Sequence, residues 1–126
     1  MLAGSLSAYA ERPTRGTIAA RQQWGQLPVD LGEYDVFLAV YDCGLIGREA
    51  TLLVGGRKFR GIIFDCSGDE QTTRWMQDSG IVPEVGHGFW DRYPHWIGSE
   101  APALIMIHGD SRSGVGGRTI ERIGGF

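Results

Sequence analysis

The sequence predicts a mainly-β domain: a small closed barrel of six short strands carrying one or two short helices. Three observations point there. Glycine is 20 of 126 residues, about double its usual share of roughly 7% and without a period, so it marks many tight turns and not a collagen-like repeat. Six short runs rich in β-branched and aromatic residues lie between those turns. No regular alternation of strand and helix accompanies them, which argues against a parallel α/β sheet. Closing such a sheet removes the edges that would otherwise template aggregation.

Taken in order, Gly4-Ser-Leu-Ser-Ala-Tyr9-Ala10 alternates loosely and reads as a first strand. The segment 11–16 is a turn-rich loop. Thr17 to Gly25 has helical propensity, with a turn and short strand as the other reading, and 26–33 is a connector holding Pro28 and Gly32. Tyr34 to Tyr41 is nearly continuous in apolar residues and reads as a strand buried on both faces. A turn at 44–47 leads into a strand over 48–54. Gly55-Gly56 then signals a two-residue hairpin into a strand over 57–64. Asp69 caps a helix that begins at Glu70 and stops at Gly80. Residues 81–85 form a short strand whose Pro83 suits an edge or a barrel rim. One or two helical turns over 88–93 and a last strand over 103–107 complete the domain. The boundaries are a barrel over 1–108 and a Gly/Ser-rich tail over 109–126, read as a linker or a segment ordered by a partner.

Composition excludes several classes of function. A net charge of −3 without a basic stripe argues against nucleic acid. No apolar run approaches the roughly 20 residues of a spanning helix, and the first residues lack the basic start and apolar stretch of a secretion signal. With no Cys-x-x-Cys and no paired histidine motif, neither a metal nor another cofactor is expected. The apolar runs 36–41 and 60–64 both lead into the dipeptide Asp-Cys, as Asp42-Cys43 and Asp65-Cys66, and these are the only two cysteines. Segments that finish alike are expected to be neighbours. The cysteines then form one disulfide, or stand as two buried thiols, the disulfide being the favoured reading.

The order of these features resembles a known pattern. An N-terminal Gly4-Ser-Leu-Ser-Ala-Tyr9 run is followed by Thr17-Ile-Ala-Ala20-Arg21 before Leu27-Pro28, by a strand-hairpin-strand ending in Asp65, and by Ile81-Val-Pro-Glu84-Val85. This is similar to the double-psi β-barrel of the rare lipoprotein A, barwin and expansin families, over roughly residues 4 to 107. The resemblance implies a secreted or envelope-associated domain, a cytoplasmic one being the alternative. Its partner would be peptidoglycan or another polysaccharide, bound in a groove across the barrel. It also implies a carboxylic acid able to protonate a glycosidic oxygen. Glu84 takes that catalytic position and Asp65 the second carboxylate. Tyr9 would be a groove aromatic or hydrogen-bond donor, and Asp42 a further carboxylate by its repetition of Asp65. Of the aromatic side chains, Trp24 and Trp96 are the ones expected to be exposed for sugar stacking.

The chain departs from the family pattern at three places. Arg21 stands where the family has histidine, Glu84 where it has aspartate, and Phe64-Asp-Cys-Ser-Gly replaces an Asn-Asp-Arg-Gly-Pro-Phe-like loop. These departures favour binding over turnover. A different class of function is a non-catalytic structural or protein-interaction module of a surface or phage-type assembly, docking a protein partner through the tail. On that reading the Asp65 and Asp42 carboxylates are turn caps and the tryptophans a small core under the helices.

Overall fold

The computed structural model describes residues 2–9, 15–29, 31–32, 34–67, 69–96 and 103–110. Six strands close into one barrel: β1 (Leu2–Ala8), β2 (Val36–Val40), β3 (Arg48–Val54), β4 (Arg57–Cys66), β5 (Ile81–Val85) and β6 (Ala103–Asp110). Around the barrel their order is β1-β5-β2-β4-β3-β6, and β6 returns to pair with β1. The pairs β1/β5 and β2/β4 are parallel and the other four antiparallel. The expectation of a mainly-β closed barrel of six strands is met. β6 runs to Asp110, past the expected boundary at residue 108. The remaining tail, 111–126, lies outside the described residues.

Among the described residues three short α-helices accompany the barrel where one or two were expected: α1 (Arg15–Gln23), α2 (Glu70–Asp78) and α3 (His87–Arg92). The added one is α1, whose Ala19-Ala20-Arg21-Gln22-Gln23 are good helix formers. Ile18, fully buried, anchors it to the core. α2 begins as predicted at Asp69, whose side chain accepts from the Thr72 backbone N–H at 2.6 Å. That bond, with the Thr72 hydroxyl, holds the Asp69 carboxyl below its ordinary range. Gly80, at φ +66°, follows the helix in the left-handed conformation.

The hairpin between β3 and β4 turns through Gly55 and Gly56, both at positive φ (+58° and +74°). Only a residue without Cβ takes that pair of conformations at no steric cost, which is why the dipeptide was readable. β2 is buried along its whole length, with Leu38 and Val40 at 0% and 1% exposure. This fits a strand flanked by β4 and β5 and filling the core on one face and packed elements on the other.

Among the described residues three irregularities interrupt the ladders: one, between β3 and β6, separates the pairs Arg48–Asp110 and Ala50–Ile107, and the other two lie just before an acidic residue. Between β2 and β4, Leu38 pairs with Ile63 but Ala39 pairs with Asp65, so Phe64 is an extra residue. Between β1 and β5, Ser5 pairs with Ile81 and Ser7 with Glu84, so one residue of 82–83 is extra. Pro83 belongs to this second bulge and was expected at an edge or rim. The closed barrel has no edge, and neither neighbouring ladder uses Pro83: β2 pairs only with Glu84 and Val85. The bulge satisfies the same requirement as an edge, a place where the missing N–H is not needed.

Candidate functional site

The register places four residues in one row across four adjacent strands: Ser7 on β1, Glu84 on β5, Ala39 on β2 and Asp65 on β4. Paired positions in a sheet project their side chains on the same face. Asp65 and Glu84 therefore stand on one face, two strand spacings or about 10 Å apart at their backbones. Ala39 is the residue between them in the row, and its side chain is only a methyl group. Each bulge re-aims the residue that follows it. Phe64 turns into the core, with ring centroids 5.0 Å from Tyr9 and 6.1 Å from Phe37 in edge-on contacts, and Asp65 turns to the row.

Asp65 is buried and fully engaged. Its Oδ2 accepts a hydrogen bond from the Tyr9 hydroxyl. Its Oδ1 accepts from Arg21 Nη2 at 2.6 Å and from the Cys66 backbone N–H at 2.9 Å. Charge-assisted bonds of this kind are stronger and more directional than neutral ones. Tyr9, at the end of β1, and Arg21, in the last turn of α1, thus converge on one carboxylate supplied by β4. Tyr9, expected as a groove aromatic or a hydrogen-bond donor, is placed with its hydroxyl donating to the protein's own Asp65.

Glu84 is in the opposite condition. It is half-buried and forms no hydrogen bond or ion pair among the described residues. Burial pushes its carboxyl above the ordinary value, and the negative charge of Asp65 pushes it further in the same direction. The row therefore holds one carboxylate saturated with donors and one that is partly desolvated, unpartnered and more readily protonated than usual. This second group is the one chemically suited to give or take a proton.

The other expected site residues are placed as follows. Trp24 is exposed, at 67%, just beyond α1, with its ring 5.9 Å from the Arg21 guanidinium carbon. It stands next to the Asp65 partner and presents a flat apolar face to solvent. Trp96 is not brought to the row. It packs with Phe59, Phe89 and Tyr93, at centroid distances of 5.8, 6.2 and 5.0 Å, and covers Gly55 at the opposite end of β4 from Asp65. Asp42 is exposed, and its Oδ1 accepts from the Gly44 N–H at 2.9 Å, capping the 3-10 helix Cys43–Leu45. Cys43 and Cys66 form a disulfide, with Cα atoms 5.0 Å apart, joining the segment after β2 to the end of β4 beside Asp65.

Arg21 is the residue whose role the sequence did not disclose. It had drawn attention only as a departure from the family pattern, and the identity of its partner depends on how α1 packs against β4. Among the described residues no group of three or more His, Cys, Asp or Glu side chains could hold a metal ion. No described helix is long and apolar enough to cross a membrane. Comparison with protein-family models, curated proteins and solved structures returns no match.

Proposed function

We propose that the chain binds a polysaccharide or peptidoglycan-like glycan across the Ser7–Glu84–Ala39–Asp65 row, with Glu84 as the group that exchanges a proton with the ligand. The observation that carries this reading is the inequality of the two carboxyls. Asp65 has both oxygens occupied by Tyr9, Arg21 and the Cys66 N–H, whereas the Glu84 carboxyl is raised and has no hydrogen-bond or ion-pair partner among the described residues. A protonated carboxyl donates to a sugar oxygen, and an ionised neighbour stabilises positive charge that develops at a ring carbon. Trp24 supplies an exposed aromatic face beside Arg21, the partner of Asp65, of the kind on which pyranose rings stack. The similarity of the motifs to the double-psi barrel families supports the same substrate class, and the disulfide suits an oxidising compartment such as the cell envelope or exterior.

The test is a pull-down on insoluble peptidoglycan and on neutral polysaccharides, with wild type and Glu84→Gln, scored for retained protein and for released fragments. Retention of wild type is the expected result, and absence of retention by both proteins overturns the reading. Fragments released by wild type and not by Glu84→Gln would make Glu84 a catalytic acid. Retention without fragments would leave a binding domain.

A second reading, a protein-interaction module, draws on a different face. Leu104 and Met106 on β6 are 36% and 38% exposed, and they lie opposite Leu53 and Thr51 of β3. Failure of every glycan in the pull-down, with a stable partner complex that Met106→Lys abolishes, would favour it.

A further inference from the structure

We infer that Arg21 is a positioning residue of this site: bridged between Gln26 and Asp65, it fixes the Asp65 carboxylate and sets the charge that Glu84 faces. This inference rests on the reading of the row as a ligand site, but it is tested without a ligand.

The geometry is that of a clamp built from one short loop. Arg21 Nη1 donates to Gln26 Oε1 at 2.8 Å while Nη2 donates to Asp65 Oδ1 at 2.6 Å. The loop after α1 folds back on the same residue, since the Gln26 and Leu27 N–H groups both donate to the Arg21 carbonyl, at 2.8 and 3.2 Å. Gln22 ties the loop further on, its Nε2 donating to the Pro28 and Val29 carbonyls at 2.9 and 2.7 Å. The guanidinium is thereby held by its own helix turn and presented to β4 in one orientation. A planar fork can bridge two acceptors in this way, whereas an ammonium supplies charge at a single point. The side chain is 19% exposed and that of Asp65 12%, so water screens the pair only in part.

The consequence falls on Glu84. Among the described residues, the charged and titratable groups around it are Asp65 on β4, with Arg21 of α1 and Tyr9, just after β1, gathered on Asp65. β1 and β2 contribute Ser7 and Ala39 to the row, with Tyr41 just beyond β2. α2, which also packs on β5, turns Met76 inward and leaves Glu70, Arg74 and Asp78 exposed. Among the described residues Arg21 is the cation of this group, so its removal leaves the Asp65 charge without that cation and held by Tyr9 and one backbone N–H.

The experiment is a carbon-13 NMR titration of the Glu84 side-chain carboxyl in the folded, ligand-free protein, for wild type, Arg21→Gln, Arg21→Lys and Gln26→Ala. Arg21→Gln is expected to move the Glu84 midpoint upward by roughly half to one pH unit. Arg21→Lys is expected to restore most of that shift through its charge. Gln26→Ala is expected to move the midpoint in the same upward direction by less, because the guanidinium keeps its charge but loses its brace. A midpoint unchanged in Arg21→Gln, with wild-type dispersion of the amide spectrum, overturns the inference and reduces Arg21 to a support for the fold. If Arg21→Gln does not fold, an unchanged midpoint in Gln26→Ala overturns it equally. Loss of glycan retention with the predicted midpoints would overturn the proposed function alone, and retention with unchanged midpoints would overturn the role of Arg21 alone.

Discussion

Glu84, the proposed proton-exchanging group, carries a cost in stability. Its carboxyl is raised by burial and by Asp65, so the folded state binds its proton more tightly than the unfolded chain does. The stability associated with that proton is fully present below the ordinary value of 4.5 and is lost as pH rises through the raised folded value. Glu84→Gln keeps the shape without the charge. Its melting temperature is expected to exceed that of wild type at neutral pH, with the gap closing below pH 4.5; a gap independent of pH in thermal melts would refute this assignment. Gly4 poses a steric problem and no electrostatic one. A Cβ there would meet the Gly80 carbonyl oxygen at 2.5 Å, and that oxygen already accepts from the Ser5 N–H at 2.8 Å. Backbone cannot step aside as a flexible side chain would, so Gly4→Ala is expected to cost about 1–3 kcal/mol in chemical denaturation.

At the scale of elements, the two Asp-Cys strand ends are joined but are not equivalent. β2 and β4 run parallel, which brings Cys43 and Cys66 together across the end of the pair. Their loop spans a sequence separation of 23, for which the chain-entropy account gives about 3 kcal/mol. The variant Cys43→Ser with Cys66→Ser is expected to lose about that much in urea unfolding, and the native protein is expected to weigh about two mass units less than its reduced form. An unchanged denaturation midpoint would contradict it. The symmetry ends there: Asp42 caps a 3-10 helix at the surface, while Asp65, displaced by the Phe64 bulge, joins Tyr9 and Arg21. The sequence shows two identical dipeptides because a bulge leaves no mark of its own in residue types. α1 was equally hard to read. Its apolar face is little more than Ile18 and two alanines, so a strand and a helix were both admissible until packing decided.

At the scale of the whole molecule, the barrel closes by pairing β1 with β5 and β6, elements drawn from the two ends of the described chain. Such contacts must overcome the entropy of closing long loops before any stabilisation is gained. Refolding of the disulfide-intact protein is therefore expected in milliseconds to seconds by stopped-flow fluorescence; a microsecond phase carrying the full amplitude would contradict it. Closure also assembles the site, since Ser7, Glu84, Ala39 and Asp65 come from four separate strands.

What the sequence determined by itself was local or periodic. The Gly55-Gly56 hairpin, the Asp69 cap, the buried run of β2 and the six-strand barrel follow from φ preferences, side-chain hydrogen bonding and apolar patterning, which act within a few residues. Glu84, Asp65 and Tyr9 were also legible as candidates, through motif resemblance. Only the tertiary structure decided that Arg21 and Tyr9 both donate to Asp65, that Ala39 stands between Glu84 and Asp65 in the row, and that Trp24 stands beside Arg21 while Trp96 packs at the other end of β4. The physical reason is register: a shift of one residue, as at Phe64, turns a side chain from one face of a sheet to the other. No residue type announces such a shift before the strands are paired.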